Sequence, residues 1–363
     1  MRDLVLFIDS KRDISHNLLQ IVESLKSINQ VIWVCLDYID SEIQSSSCLT
    51  DTKHLNVVNR LAHNRHTQHI CIEITHVPSH FTDLNRHTTV NRVLDTLRPI
   101  LDSKKITNPT IWTSEFIAAD ICEHLQSSSL IYLCDKEHPS SDPVAEKQEQ
   151  YLINHSDVIF GTSDDICSRF PANKTYLLQQ GVDLKLFCRP ADRASDFPNN
   201  GRPTAGFYGN LDNSVDYQLL MIVALHLPHW NFVVLGYNSL PFYPLPKLDN
   251  VYYLGPKNHQ TLPRYSQHWQ ASILPTLPSK HYSAAKHATL LEYLAVGAPI
   301  IATDHNVAGR FSKYVNIVEN AREMSEALVH AAYEPKCSAD IVFSDSWQVR
   351  SRYVDNILQV IPK

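Results

Sequence analysis

Residues 283–304, SAAKHATLLEYLAVGAPIIATD, leave this chain little freedom in how it folds. Leu290, Leu291 and Leu294 recur at the spacing of one helix face, which predicts a helix from Lys286 to Val296. Gly297 stops it, Pro299 cannot extend it, and Ile300 and Ile301 open an apolar run to Thr303 and Asp304 that reads as a strand buried on both faces. A helix, a glycine stop and a buried strand make half of an α/β unit, which needs neighbours of the same kind to complete a sheet. Thr289 and Glu292 stand three apart and share a helix face, separated by about 4.5 Å along the axis. The start of such a helix favours phosphate through unpaired N–H groups and its dipole, and a carboxylate further along suits the vicinal hydroxyls of a ribose. A nucleoside diphosphate would meet the two in that order. The plainer reading is a solvated carboxylate paired with a basic neighbour, and the helix alone does not choose between them.

The required neighbours are present twice over. In the first half, apolar strands at 4–8, 31–36, 71–77, 111–113, 130–134, 158–162 and 175–178 alternate with helical patterns, the α/β signature. Loops after such strands lie at the carboxyl ends of a parallel sheet, where ligands bind. One of these loops leads to Asp13 and His16, and another runs Asp135-Lys136-Glu137-His138-Pro139, so Asp135 and His16 are candidates for a general base toward a sugar hydroxyl. A charged surface turn and a structural histidine are the alternatives. Residues 45–68 are polar and carry no evident chemistry.

The stretch 189–202 is rich in Pro, Asn and Asp and has no periodicity, so it reads as a linker between domains at 1–188 and 203–340. The second half restarts the pattern with strands at 204–208, 232–235, 250–254 and 271–274. The first three end at Gly209-Asn210, Gly236-Tyr237-Asn238 and Gly255-Pro256-Lys257. With nine glycines in 363 residues, three placed directly after strands point to close approach of backbone and ligand. No GxGxxG occurs, so the nicotinamide dinucleotide fingerprint is absent. Residues 341–363 end the chain with a helical pattern through Trp347, Tyr353 and Leu358.

Composition narrows the function. A net charge of −6, with the acidic excess in the first 200 residues, argues against a nucleic-acid groove and gives no support for docking to anionic lipid. Eight scattered cysteines without a CxxC read as reduced thiols of a cytoplasmic protein, and the 19 histidines form no HExxH, so no metal site is expected. No 18-residue apolar span occurs, which leaves a soluble or peripherally membrane-attached protein as the expectation.

TLLEYLAVGAPIIATD resembles the donor motif K-x-x-E-Y-L-A-x-G-x-P of bacterial GT-B glycosyltransferases, particularly those of exopolysaccharide, capsule and teichuronic-acid assembly. SDVIFGTSDDICSRF, LLQQGVDLKLF, GFYGNLDNSVDYQLL and the late Trp347 helix are similar to other segments of that family, in the family's order. The resemblance implies an α/β GT-B fold, with two Rossmann-like domains facing each other across a cleft and a C-terminal helix returning to the first. It implies a metal-independent hexosyl transfer from a nucleoside diphosphate sugar, with UDP the expected nucleotide, to a saccharide or lipid-linked acceptor, with no separate cofactor. Glu292 would hold the ribose, and Thr289 with its neighbours Ala288 and Leu290 the diphosphate. Gly209 and Asn210 would meet phosphate or sugar, and the turns Gly236, Tyr237, Asn238 and Gly255 to Lys257 the base. Lys257, Lys280, Lys286 and His287 would offset leaving-group charge.

Two departures matter. Many retaining relatives carry a second glutamate eight positions before the ribose-binding one, where this chain has Ala284, and the usual lysine three or four before it is replaced by Ala288 and Thr289. An inverting relative with a first-domain aspartate as base, for which Asp135 ranks before His16, an inactive partner subunit and a nucleotide-sugar epimerase of the same fold all remain open.

Overall fold

The computed structural model describes residues 1–9, 14–39, 68–78, 82–135, 142–278 and 284–361. The chain divides into two compact units, Met1–Gln179 with Arg350–Lys363, and Gln180–Val349.

The first unit is built on seven strands: β1 (Arg2–Asp9), β2 (Ile28–Ile39), β3 (Gln68–Pro78), β4 (Thr110–Thr113), β5 (Ser129–Cys134), β6 (Val158–Gly161) and β7 (Thr175–Leu177). Their order is β3-β2-β1-β4-β5-β6-β7, and every pairing is parallel. Such a sheet is covered on both faces, which is why β1 reads as an unbroken apolar run and Leu4 to Ile8 are fully buried. The sequence pattern limits one helix to residues 88–97, whereas it spans Asp83–Lys104 and passes through Pro99. Leu97 and Leu101, on either side of that proline, are both buried, so packing outweighs the lost backbone hydrogen bond. A capping box between Thr82 and Asn85 starts this helix, and Lys105 in the left-handed region ends it.

The second unit carries six strands: β8 (Thr204–Tyr208), β9 (Asn231–Leu235), β10 (Val251–Tyr253), β11 (Ala271–Leu274), β12 (Ile300–Ala302) and β13 (Val315–Ile317). They run parallel in the order β10-β9-β8-β11-β12-β13. The helix read from residue 286 begins two residues earlier, at Ala284, and ends at Val296. Its stripe Leu290, Leu291 and Leu294 is at most 2% exposed. Trp269 lies flat on β8, where a Cβ at Gly206 would come within 1.7 Å of the indole ring. That glycine serves packing.

Residues 189–202 belong to the second unit. Ala194 and Phe197 are buried in its core, and the Gln267 amide donates to the carbonyls of Phe187 and Arg189 while accepting from the Ala191 N–H. Side-chain amides, instead of apolar periodicity, hold this stretch down, which explains why it reads as irregular.

The last helix spans Trp347–Val360, after a 3-10 stretch Ala339–Asp345. From Arg350 onward it is part of the first unit, as the sequence resemblance implies. The Arg2 guanidinium, 5% exposed, donates to the carbonyls of Leu358 and Ile361 as well as to Thr110 and Ser129 hydroxyls. Asp355 accepts from the backbone and hydroxyl of Ser27. One buried cation and one carboxylate thus tie the C-terminus to the start of the first sheet. No described helix is long and apolar enough to cross a membrane.

Candidate functional site

In an open parallel sheet the ligand crevice forms outside the carboxyl ends of two strands whose connections leave in opposite directions. In the second unit those strands are β8 and β11, with Gly206 opposite Ser272. Tyr208 ends β8 and Thr276 lies just past β11. Both are buried, and neither side-chain hydroxyl has a hydrogen-bond partner. Two orphaned hydroxyls beside one switch point are unusual, because buried polar groups are nearly always paired. Thr276 is itself held by Thr303, whose hydroxyl accepts from the Thr276 N–H at 2.9 Å and donates to its carbonyl at 2.6 Å.

Glu292 lies near this point. Its side chain is 12% exposed, and its Oε1 stands 2.6 Å from Nε2 of His259. The Tyr208 hydroxyl lies beside the same carboxylate. Burial, and then the negative charge of Glu292, hold that phenol well above the ordinary tyrosine range, so it remains a neutral O–H donor. Tyr208 is fixed from two sides: its backbone N–H donates to the hydroxyl of Tyr293, and its ring meets Tyr293 edge-on at 4.8 Å. His259 opens a short 3-10 turn, His259–Thr261, capped by Asn258, and its ring packs edge-on against Phe187 at 5.5 Å. Neither Tyr208 nor His259 stands out in the sequence: Tyr208 merely precedes a glycine, and His259 is one of 19 histidines in a polar stretch.

The strand-end glycines form a backbone clasp. The Gly209 N–H donates to the Leu235 carbonyl, and the Gly236 N–H to the Gly255 carbonyl. A Cβ on Gly236, whose φ is +145°, would come within 1.8 Å of the Gly209 carbonyl oxygen. Gly236 is therefore required by contact between neighbouring loops, where the sequence pattern suggested close approach of a ligand. Asn210 is exposed beside this clasp, and Tyr237 is 63% exposed. The Asn238 side chain is turned into its own loop, accepting from the Leu240 N–H and donating to the Phe242 carbonyl.

Other expected donor residues are placed differently. Lys257 is ion-paired with Asp196 at 2.7 Å and lies over the Tyr265 ring. Burial works against the charge on Asp196, but hydrogen bonds from Lys257 and Tyr265 outweigh it and hold the carboxyl below its ordinary range. Lys257 therefore already has a countercharge. Leu290 is fully buried in the core, so only its backbone, not its side chain, is left for the expected diphosphate contact. Ala288 and Thr289 are half-buried on the helix that carries Glu292, as are Lys286 and His287, the latter 6.3 Å from the Phe311 ring. Lys280 lies outside the described residues, and Ala284 is the first residue of the helix.

In the first unit the switch point falls between β1 and β4, where Phe7 stands opposite Thr113. Two residues further on are Asp9 and Glu115, both buried. Glu115 accepts from the Ser114 hydroxyl at 3.0 Å, and its backbone N–H donates to Thr113. Asp135, half-buried, follows β5, one strand away from the switch point. The side chain of His16, in the helix Ile14–Ser24, and the loop 136–141 with His138 lie outside the described residues. Glu115 does not stand out in the sequence; the available signal is an acid two residues after a short strand. Among the described residues no group of three or more His, Cys, Asp and Glu side chains is arranged to hold a metal ion.

Two parallel Rossmann-like sheets and a C-terminal helix returning to the first define the GT-B glycosyltransferase fold, and this chain has that fold. HepE of Anabaena, solved in complex with UDP and glucose, superposes with a TM-score of 0.64 at 12% identity, covering 99% of this chain and 100% of that one. Sucrose-phosphate synthase of Thermosynechococcus elongatus superposes at 0.62 with 12% identity, covering 99% and 98%. In sequence the chain is similar to TuaH of Bacillus subtilis (strain 168), a protein assigned to teichuronic acid biosynthesis as a glycosyltransferase, with 26% identity over 173 residues. That match covers 44% of each protein. No family model matches the chain.

Proposed function

We propose that the protein is a glycosyltransferase that moves a sugar from a nucleoside diphosphate sugar, with UDP as the nucleotide, to a saccharide or lipid-linked acceptor in the assembly of a surface polysaccharide. The observation that carries this reading is the enclosed Glu292 carboxylate beside the β8–β11 switch point, on a helix long enough to present a phosphate-binding N-terminus. Glu292 accepts the ribose hydroxyls, and Thr289 with the first-turn N–H groups receives the diphosphate. Gly209 and Asn210 lie against the sugar or phosphate, and the loops from Gly236 and Gly255 flank the base.

As the sugar leaves, charge grows on the diphosphate. The helix dipole and Lys286, one turn before Leu290, offset it, while Lys257 is already engaged by Asp196. Asp135 takes the acceptor proton as general base, with His16 the second choice. The likeness to TuaH supports the polysaccharide assignment, and the UDP complex of HepE supports the nucleotide.

The test is incubation with a panel of nucleotide sugars, with and without acceptors extracted from cells, following nucleotide release and donor isomers. Acceptor-dependent release of UDP is expected. Isomers of the donor without release would make the protein an epimerase, and binding without turnover would make it a partner subunit.

A further inference from the structure

Glu292 is one half of a pair, and its partner has no role in the donor site described above. We propose that His259 is a positioning residue that orients the Glu292 carboxylate and thereby makes the site selective for an intact ribose diol over a deoxyribose. The proposal rests on the reading of Glu292 as the ribose acceptor.

A carboxylate offers about four lone-pair directions. The imidazole Nε2 of His259, at 2.6 Å, takes one on Oε1. The Tyr208 hydroxyl, buried, without a partner and beside the carboxylate, is available for another. Two directions remain, the number a vicinal diol requires. The histidine is itself held: its ring is edge-on to Phe187, and its 3-10 turn is capped by the Asn258 side chain. A glutamate held only by its own flexible side chain would turn toward whichever hydroxyl was present. With Oε1 pinned, losing one ribose hydroxyl leaves a half-enclosed carboxylate short of a donor, the condition under which a polar site rejects an analogue most strongly.

The test measures binding of UDP and 2′-deoxy-UDP by titration calorimetry to the full chain, comparing wild type with His259→Phe, His259→Gln and Glu292→Gln. Phenylalanine keeps the ring and its contact with Phe187 but removes the donor, and glutamine restores a donor. The wild type is expected to prefer UDP by about tenfold or more, the size of effect a lost hydrogen bond to a charged group produces. His259→Phe should weaken UDP binding about tenfold and reduce the preference to less than about threefold, with His259→Gln recovering most of both. Wild-type affinity and preference retained in His259→Phe, with Glu292→Gln impaired, would overturn the proposal and leave the ribose reading intact. Unchanged UDP affinity in Glu292→Gln, or a wild type that does not bind UDP, would overturn the ribose reading itself. Should His259→Phe fail to fold, as judged by its melting curve, the wild-type preference and the glutamine variant decide: no preference, or glutamine behaviour identical to wild type with both nucleotides equal, overturns the proposal.

Discussion

Tyr208 carries a hydroxyl that burial, and then the neighbouring Glu292 carboxylate, keep protonated. Among the described residues the hydroxyl meets no polar group except this carboxylate, so its retention points to orienting Glu292 for something that binds. Tyr208→Phe should therefore leave the urea midpoint unchanged or raise stability by up to about 1 kcal/mol, while weakening UDP binding. A loss of stability would show instead that the hydroxyl serves the fold. At this scale the sequence was partly legible. Glu292 was visible because its helix is periodic and its neighbours fix the face on which it lies. Tyr208, His259 and Glu115 were not, because their significance arises only when strands distant in sequence bring them to a sheet edge. Lys257 shows the reverse case: the family resemblance suggested a cation offsetting leaving-group charge, and only the fold brings Asp196 to it.

Among elements, the strand-end loops explain most about how the carboxyl end of the second sheet is held in shape. Gly236 passes so close to the Gly209 carbonyl that no side chain fits. Gly236→Ala should cost about 2–4 kcal/mol in urea unfolding and impair nucleotide binding together with it, since the clash moves the loop after β8. A variant of wild-type stability would contradict the clasp. The Lys257–Asp196 pair that follows the third glycine is a weaker device, because Asp196 is substantially exposed. The Asp196 carboxyl is held low, so its contribution is present above the unfolded carboxylate pKa and is lost as pH falls through the lowered folded value. Asp196→Asn should cost less than about 1 kcal/mol at pH 7 and nothing once wild-type Asp196 is protonated, a convergence that urea midpoints across acid pH would reveal. The strands other than β13, a three-residue strand with an exposed Asn316, were legible as apolar runs, and the helix Ala284–Val296 as a stripe. The sequence pattern stops the helix Asp83–Lys104 short at its C-terminal end because proline is a local veto that tertiary packing overrides.

Across the whole molecule, two sheets with separate cores divide the chemistry by position in the chain. The second sheet carries the enclosed carboxylate, buried hydroxyls and glycine clasp expected around a nucleotide, and the first carries acids at the carboxyl ends of β1, β4 and β5. The two-sheet order was legible because strand and helix patterns alternate twice. The attachment of residues 189–202 to the second unit was not, since hydrogen-bonded side-chain amides leave no period in a sequence. If the roles divide in this way, Asp135→Asn should lower turnover while UDP affinity is kept, and Glu292→Ala should do the opposite first. The most direct measurement is the affinity for UDP of wild type and of Glu292→Ala, determined side by side on folded protein. A loss of at least about tenfold is expected when a diol loses its charged acceptor, and equal affinities would contradict a nucleotide site on this helix.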